Sequence, residues 1–134
     1  MADLAPDEAH TAHTLVAADQ RELIGAAEPS AERVQLTRVF QGPGATIIRI
    51  AFAPGQEMRE HSTNSPIIVQ VLSGVIRFSV SGETLAMPAG AVVHVEASVP
   101  HSLVAEGEAH VLLTLCTAPA PIASPTLRAG ARRP

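Results

Sequence analysis

Residues 55–74 read GQEMREHSTNSPIIVQVLSG, and residues 90–105 read GAVVHVEASVPHSLVA. Each stretch opens on a glycine and carries a histidine, His61 or His101, framed by turn residues at the start of a β-run. Side chains alternate along an extended strand, so a strand running through this region puts His61 and Thr63 on one face. Asn64, the sole Asn of the chain, lies in Ser-Thr-Asn-Ser-Pro over 62–66, and turn formation accounts for it.

The period of two extends to both sides of these stretches. Val34, Leu36, Ile47, Ile48, Ile50 and Phe52 fall in two β-rich runs parted by the turn Gln41-Gly42-Pro43-Gly44, and a further turn, Ala53-Pro54-Gly55, follows. Ile67–Leu72, Val75–Val80, Glu83–Met87, Ala91–Val95, His101–Ala105 and His110–Leu115 come next, joined by glycine-, serine- and proline-containing turns such as Ser73-Gly74 and Ser81-Gly82. Short strands at even spacing predict an all-β sandwich or barrel rather than βαβ units. Upstream, Leu15, Val16, Leu23 and Ile24 predict a short helix over Thr14–Ala27, with Thr14 as N-cap and Gly25 as stop. Residues 1–33 are thus an N-terminal arm and helix, 34–116 a β domain, and 117–134 a Pro/Ala/Arg tail with four Pro, three Arg and no acid, expected to be disordered.

Composition narrows the chemistry. The 134 residues include no Lys, Tyr or Trp, three Phe and one Cys, and the nine basic residues are all Arg against thirteen acids, a net charge of −4. That length predicts one domain. The acidity and the scarcity of aromatics argue against nucleic-acid binding. Without Lys there is no Schiff-base or P-loop chemistry, and without Tyr no phenolic acid or base. A single Cys116 forms no internal disulfide, no apolar stretch is long enough to span a membrane, and the acidic start MADLAPDEAH lacks the charge and apolar pattern of a signal peptide. The expectation is a cytoplasmic protein without membrane or nucleic-acid partners.

Residues 55–74 resemble the first cupin motif, G-x5-H-x-H-x3,4-E-x6-G, with Gly55, His61 and Gly74 in register. Residues 90–105 resemble the second, G-x5-P-x-G-x2-H-x3-N, where Gly90 and His101 match while Glu96, Ser98 and Ala105 replace its Pro, Gly and Asn. The fifteen residues between Gly74 and Gly90 suit a small single-domain bacterial cupin of the type-2, RmlC-like kind, and the resemblance covers roughly 34–116. It implies a double-stranded β-helix, or jelly-roll barrel, with a pocket in its mouth, and it raises the expectation of a homodimer.

In metal-binding cupins, two His and a Glu of the first motif and a His of the second converge on a divalent ion. Carried onto this chain, the resemblance retains His61 and His101, puts Thr63 at the second His and puts Ile67 at the Glu. The implied ligand-binding pocket holds His61, Thr63, Ile67 and His101, with aliphatic strand residues such as Val69, Val71 and Leu103 around them. A metal would rest on His61 and His101 alone. Fe, Mn, Ni or Zn would then be ligated mostly by water and not held tightly. Gln70, three residues beyond Ile67, is expected on the opposite face.

Other candidates are weaker. His94 and His110 begin or lie in apolar strands and read as packed or edge residues, although either would complete a site if it faced the barrel. Cys116 ends an apolar strand and reads as a small hydrophobe. Ser102 beside His101 faces the other side of its strand, and the carboxylate pairs Glu57/Glu60 and Glu106/Glu108 read as solvated turn positions. Three functions stay open: binding of a small molecule by a pocket whose polarity rests on His61, Thr63 and His101; a metal-dependent enzyme of dioxygenase, isomerase or lyase type with an unidentified third ligand; or a metal-free acid–base catalyst using His61 or His101, which without Tyr or Lys needs a carboxylate partner that the sequence does not locate.

Overall fold

In the computed structural model, residues 12–25 and 28–117 are described. The expected tail beyond Thr117 and the first eleven residues of the arm lie outside them. Among the described residues, nine strands follow one short helix: α1 Gln20–Ile24, β1 Gln35–Gly42, β2 Ala45–Phe52, β3 Glu57–His61, β4 Ile67–Ser73, β5 Val75–Val80, β6 Glu83–Pro88, β7 Val92–Val95, β8 His101–Ala105 and β9 Ala109–Leu115.

Every paired strand is antiparallel, and the strands form a five-stranded sheet, β1-β2-β9-β4-β7, and a four-stranded sheet, β3-β8-β5-β6. The chain crosses repeatedly between the two, which makes a jelly roll, a double-sheet barrel. The β-branched runs supply the inner faces. Phe52, Phe78, Ile50, Ile76, Val71 and Val111 are among the largest fully buried side chains, and each contributes about 1.5–3 kcal/mol by leaving water. The tight connections need glycine in two places in particular. Ser81 and Gly82 both take positive φ, 54° and 77°, as a two-residue hairpin of the twist-matched kind requires. Gly74, at φ 83°, alone links β4 of one sheet to β5 of the other, and a Cβ there would meet the Glu108 carbonyl and the Ala109 backbone.

Two local expectations are corrected. The helix covers five residues rather than Thr14–Ala27, because Asp19, not Thr14, is its N-cap. The Asp19 carboxylate accepts from the Glu22 N–H at 2.8 Å, while the Glu22 carboxylate reaches back to the Ala18 N–H at 2.8 Å. This reciprocal cap fixes the start and leaves 14–18 outside the helix. Gly25, at φ 55°, ends it as expected, its N–H donating to the Arg21 carbonyl. The second correction is β3: Glu57 and Glu60 lie in a strand, not in turns, and are exposed along it.

α1 buries no residue and is held on the five-stranded sheet by hydrogen bonds. The Gln20 amide donates to the Leu72 carbonyl at 2.6 Å, and the Arg49 guanidinium donates to the Leu23 carbonyl at 3.0 Å.

Candidate functional site

The site is built where β3 and β8 run side by side. His61, the last residue of β3, sits directly opposite His101, the first residue of β8. Their ring centroids are 4.5 Å apart and the planes meet at 62°, an edge-to-face contact. On its other side His101 stacks on Phe78 of β5, centroids 5.7 Å apart and planes within 14°. His101 is 4% exposed and Phe78 is fully buried, whereas His61 is exposed. One imidazole therefore sits inside the barrel and the other at its mouth.

Each ring is oriented by the same local contact. His61 Nδ1 lies 2.6 Å from the Arg59 carbonyl and His101 Nδ1 lies 2.9 Å from the Val99 carbonyl, in both cases two residues earlier in the chain. A carbonyl only accepts, so each Nδ1 carries its proton and donates it. The neutral ring is then fixed in one tautomer, with the lone pair on Nε2. Two imidazole acceptors thus stand side by side with their tautomers set by backbone.

Around them is a cavity. The four-stranded sheet contributes His61, His101, Met58 and Leu103, and the five-stranded sheet contributes Ile50, Ile67, Val69, Val111 and Leu113. All but the two His are apolar. A water-sized centre has about 20 Å³ in which to move, enough to admit a single water-sized group.

The four expected pocket residues separate here. His61, Ile67 and His101 line the cavity, and Thr63 does not. The strand that was expected to carry Thr63 on the face of His61 ends at His61. Thr63 lies in the turn that follows, its hydroxyl donating to the Ser65 carbonyl at 2.6 Å. Its own carbonyl accepts from the Ser98 N–H at 2.7 Å. Thr63 therefore ties the turn after His61 to the turn before His101. Val69 and Leu103 line the cavity as expected, while Val71 is buried in the core beyond it.

The remaining candidates face elsewhere. His94 pairs with Ile68 across β7–β4, is exposed, and belongs to a groove between the edges of β6 and β7. His110 is buried, pairs with Ala51 of β2, and contacts the Ser73 hydroxyl through Nδ1 at 2.9 Å. Gln70 pairs with Leu112 and Val92, one strand register removed from the inward Val69. Ser102 pairs with Ser79, away from the cavity. Glu106 forms an ion pair with Arg77. Cys116 is half-buried, its N–H bonded to the Pro66 carbonyl.

Met58 and Phe78 are site residues that the sequence did not disclose. Met58 shares the inner face with His61 despite a spacing of three, because the β3–β8 register shifts between them. Such a bulge resets the alternation of a strand.

Among the described residues, no group of three or more His, Cys, Asp or Glu is gathered closely enough to hold a metal ion. Ile67 offers no donor and the Thr63 hydroxyl is committed to Ser65. The donor set at the cavity is thus two imidazoles, which does not fit an ion held by three protein ligands.

A family model described as the cupin domain matches residues 48–117. Among solved structures, an RmlC-like cupin protein of Desulfovibrio desulfuricans is 28% identical, with 69% of this chain and 91% of that one aligned at a TM-score of 0.65. A conserved protein of unknown function from Streptococcus pyogenes is 23% identical, with 82% and 91% covered and a TM-score of 0.66. A protein from Thermus thermophilus is 23% identical, with 78% and 100% covered and a TM-score of 0.68. No curated protein matches. Among the described residues, no helix is long and apolar enough to cross a membrane.

Proposed function

Since the chain belongs to the cupin domain family, a family whose barrel does not by itself fix an activity, we propose that it is a small-molecule-binding cupin whose ligand is recognised by His61 and His101. One observation carries this reading: two imidazoles with backbone-fixed tautomers present Nε2 acceptors at a cavity that is otherwise apolar. A few placed polar groups on an apolar wall are what gives a small-molecule site its selectivity. The complementary ligand is neutral, carries an O–H or N–H donor, and has a compact apolar body. The inner space admits one small group, so the donor enters toward His101 and the body rests at the mouth by Met58 and His61.

A second reading is metal-dependent cupin chemistry at the same pair of imidazoles. It is favoured by the short His61–His101 approach, 4.5 Å between centroids, and it needs a third donor that the cavity wall does not supply.

Metal content separates the two. Protein purified without a polyhistidine tag should hold far less than one equivalent of Fe, Mn, Ni or Zn, before and after incubation with each ion, and His61→Ala should not change this. Near-stoichiometric metal that is lost in His61→Ala overturns the metal-free reading. For the ligand itself, short-chain alcohols serve as probes: titration should perturb the imidazole carbon-bound proton resonances of both His61 and His101 in the wild type. Perturbation spread over the surface, or none at either ring, contradicts the binding site.

A further inference from the structure

A groove runs between the free edges of the two sheets, β6 of the four-stranded and β7 of the five-stranded one. It holds about 380 Å³ of free space and shares no lining residue with the cavity at the two imidazoles. Val80, Leu85, Val93 and Val99 form its floor, each packed on the core from one side and only half-buried. Glu83, His94 and Glu96 are exposed around it, so among the described residues the rim carries two carboxylates and no Arg. Val99 also joins the groove to the cavity, since its carbonyl accepts from His101 Nδ1.

We propose that this groove is the docking site of the chain's own C-terminal segment, residues 122–133, which lie outside the described residues. An acidic rim repels its own counterpart on a second copy and any phosphate-rich surface, and it selects a cationic occupant with an apolar element. The sequence of the tail has both. Glu108 is the last acid of the chain, and three of the nine Arg, at 128, 132 and 133, fall in the final seven residues. Residues 1–116 hold six Arg against thirteen acids, a net −7, and the tail adds three positive charges. Ile122 and Leu127 are its only large aliphatic side chains, and Leu127 adjoins Arg128, a pairing suited to an apolar floor edged by carboxylates. So few apolar residues cannot build a core of their own, but they can order on a surface already made.

Placement and length agree with this occupant. Leu115, the end of β9, pairs with Ile67 of β4, which pairs with Val95 of β7, and Val95 lines the groove. The chain therefore leaves the sheet two strands from the groove, ~10 Å at the usual strand spacing. From Thr117 to Leu127 the segment spans about 17 Å as a flexible coil and about 31 Å as an extended polyproline helix. It reaches the groove without being stretched. Tethering at that length also gives a local concentration of about a millimolar, so weak contacts suffice.

Paramagnetic broadening in the full chain tests this. A nitroxide on Ala129→Cys, in a Cys116→Ala background, should broaden the amide signals of Glu83, Val93 and Glu96. It should spare those of Thr37 and Glu57, on the opposite edges of the two sheets. Glu83→Arg together with Glu96→Arg should abolish the broadening, and 1 M salt, which cuts the screening length to about 3 Å, should greatly reduce it. Both glutamates are exposed, so that variant should keep the wild-type circular dichroism. A second comparison uses no label: Arg128→Ser, Arg132→Ser and Arg133→Ser combined should shift the amide resonances of Val93, Glu96 and Val99 and leave Thr37 unmoved. The docking is overturned by an absence of broadening at the groove, or by broadening that survives the two Glu→Arg substitutions. Broadening that fades on dilution overturns it as well, because the tail then sits on another molecule. So does a triple tail variant whose groove resonances match the wild type.

Discussion

His61 and His101 are register partners across β3 and β8, yet one is solvent-exposed and the other 4% exposed and stacked on Phe78. Two chemically identical side chains with the same backbone contact thus differ in what they contribute to folding. His101→Ala removes a packed ring and its hydrogen bond, and should lower unfolding free energy by about 2–4 kcal/mol. His61→Ala should cost under about 1 kcal/mol, as expected for an exposed position. Urea unfolding of the two variants measures the difference, and equal losses would contradict the placement of His101.

Phe78 holds the far side of His101 and is fully buried. Phe78→Ala should destabilise the barrel by about 3–5 kcal/mol. Phe78→Leu keeps most of the volume and should cost less than about 2 kcal/mol. It still removes the ring face, so the His101 imidazole resonances should shift while those of His94, which lies outside the cavity, stay put. Unchanged His101 resonances in Phe78→Leu would argue against the stack.

Ile67 shares the cavity wall with both imidazoles. Ile67→Glu puts a carboxylate there and creates a two-His, one-carboxylate donor set. In the absence of metal the buried carboxyl should lower stability by several kcal/mol. Added cobalt(II) should recover much of that loss by binding the folded form, with visible absorption that the wild type lacks under the same conditions. The same absorption in wild type and variant would show that the position of Ile67 is irrelevant to metal binding.

Gly74 and Gly90 both have positive φ, 83° and 95°, but differ in surroundings. A Cβ on Gly90 meets nothing within 4 Å, so Gly90→Ala carries only the conformational cost of about 1–2 kcal/mol. A Cβ on Gly74 would lie 2.8 Å from Ala109 Cα, and Gly74→Ala should lose about 3 kcal/mol or more, since backbone of β9 must move. Thermal unfolding of the pair should rank them in that order.

Much of the fold is legible because the inward residues alternate. Val75–Val80 and His101–Ala105 have as strands the bounds their apolar periodicity indicates. β3 is not legible in this way: Glu-Met-Arg-Glu-His has a single apolar residue, and the register shift after Met58 breaks the period that would betray it. Thr14 and Asp19 are both acceptable caps by residue type, and only the reach of Glu22 back to Ala18 decides between them. At the site, glycine and histidine spacing marks His61 and His101. Thr63 misleads because alternation applies only while the strand continues, and the chain turns after His61 toward Pro66. Phe78 is hidden for another reason: it reaches His101 through β5–β8 pairing, a neighbourhood that no local pattern in the sequence encodes.

The Ser98 to Thr63 hydrogen bond has a mechanical meaning. It couples the corner that follows one imidazole to the corner that precedes the other, so the rim of the barrel behaves as a brace rather than as two independent flaps. Swinging either corner outward breaks that bond and disturbs both rings together. On the proposed binding function, passage through the mouth would then fall to rotamer changes of lining side chains such as Met58 and His61 rather than to movement of the corners. A ligand that is compact and rigid suits such an entrance better than one that requires the walls to part.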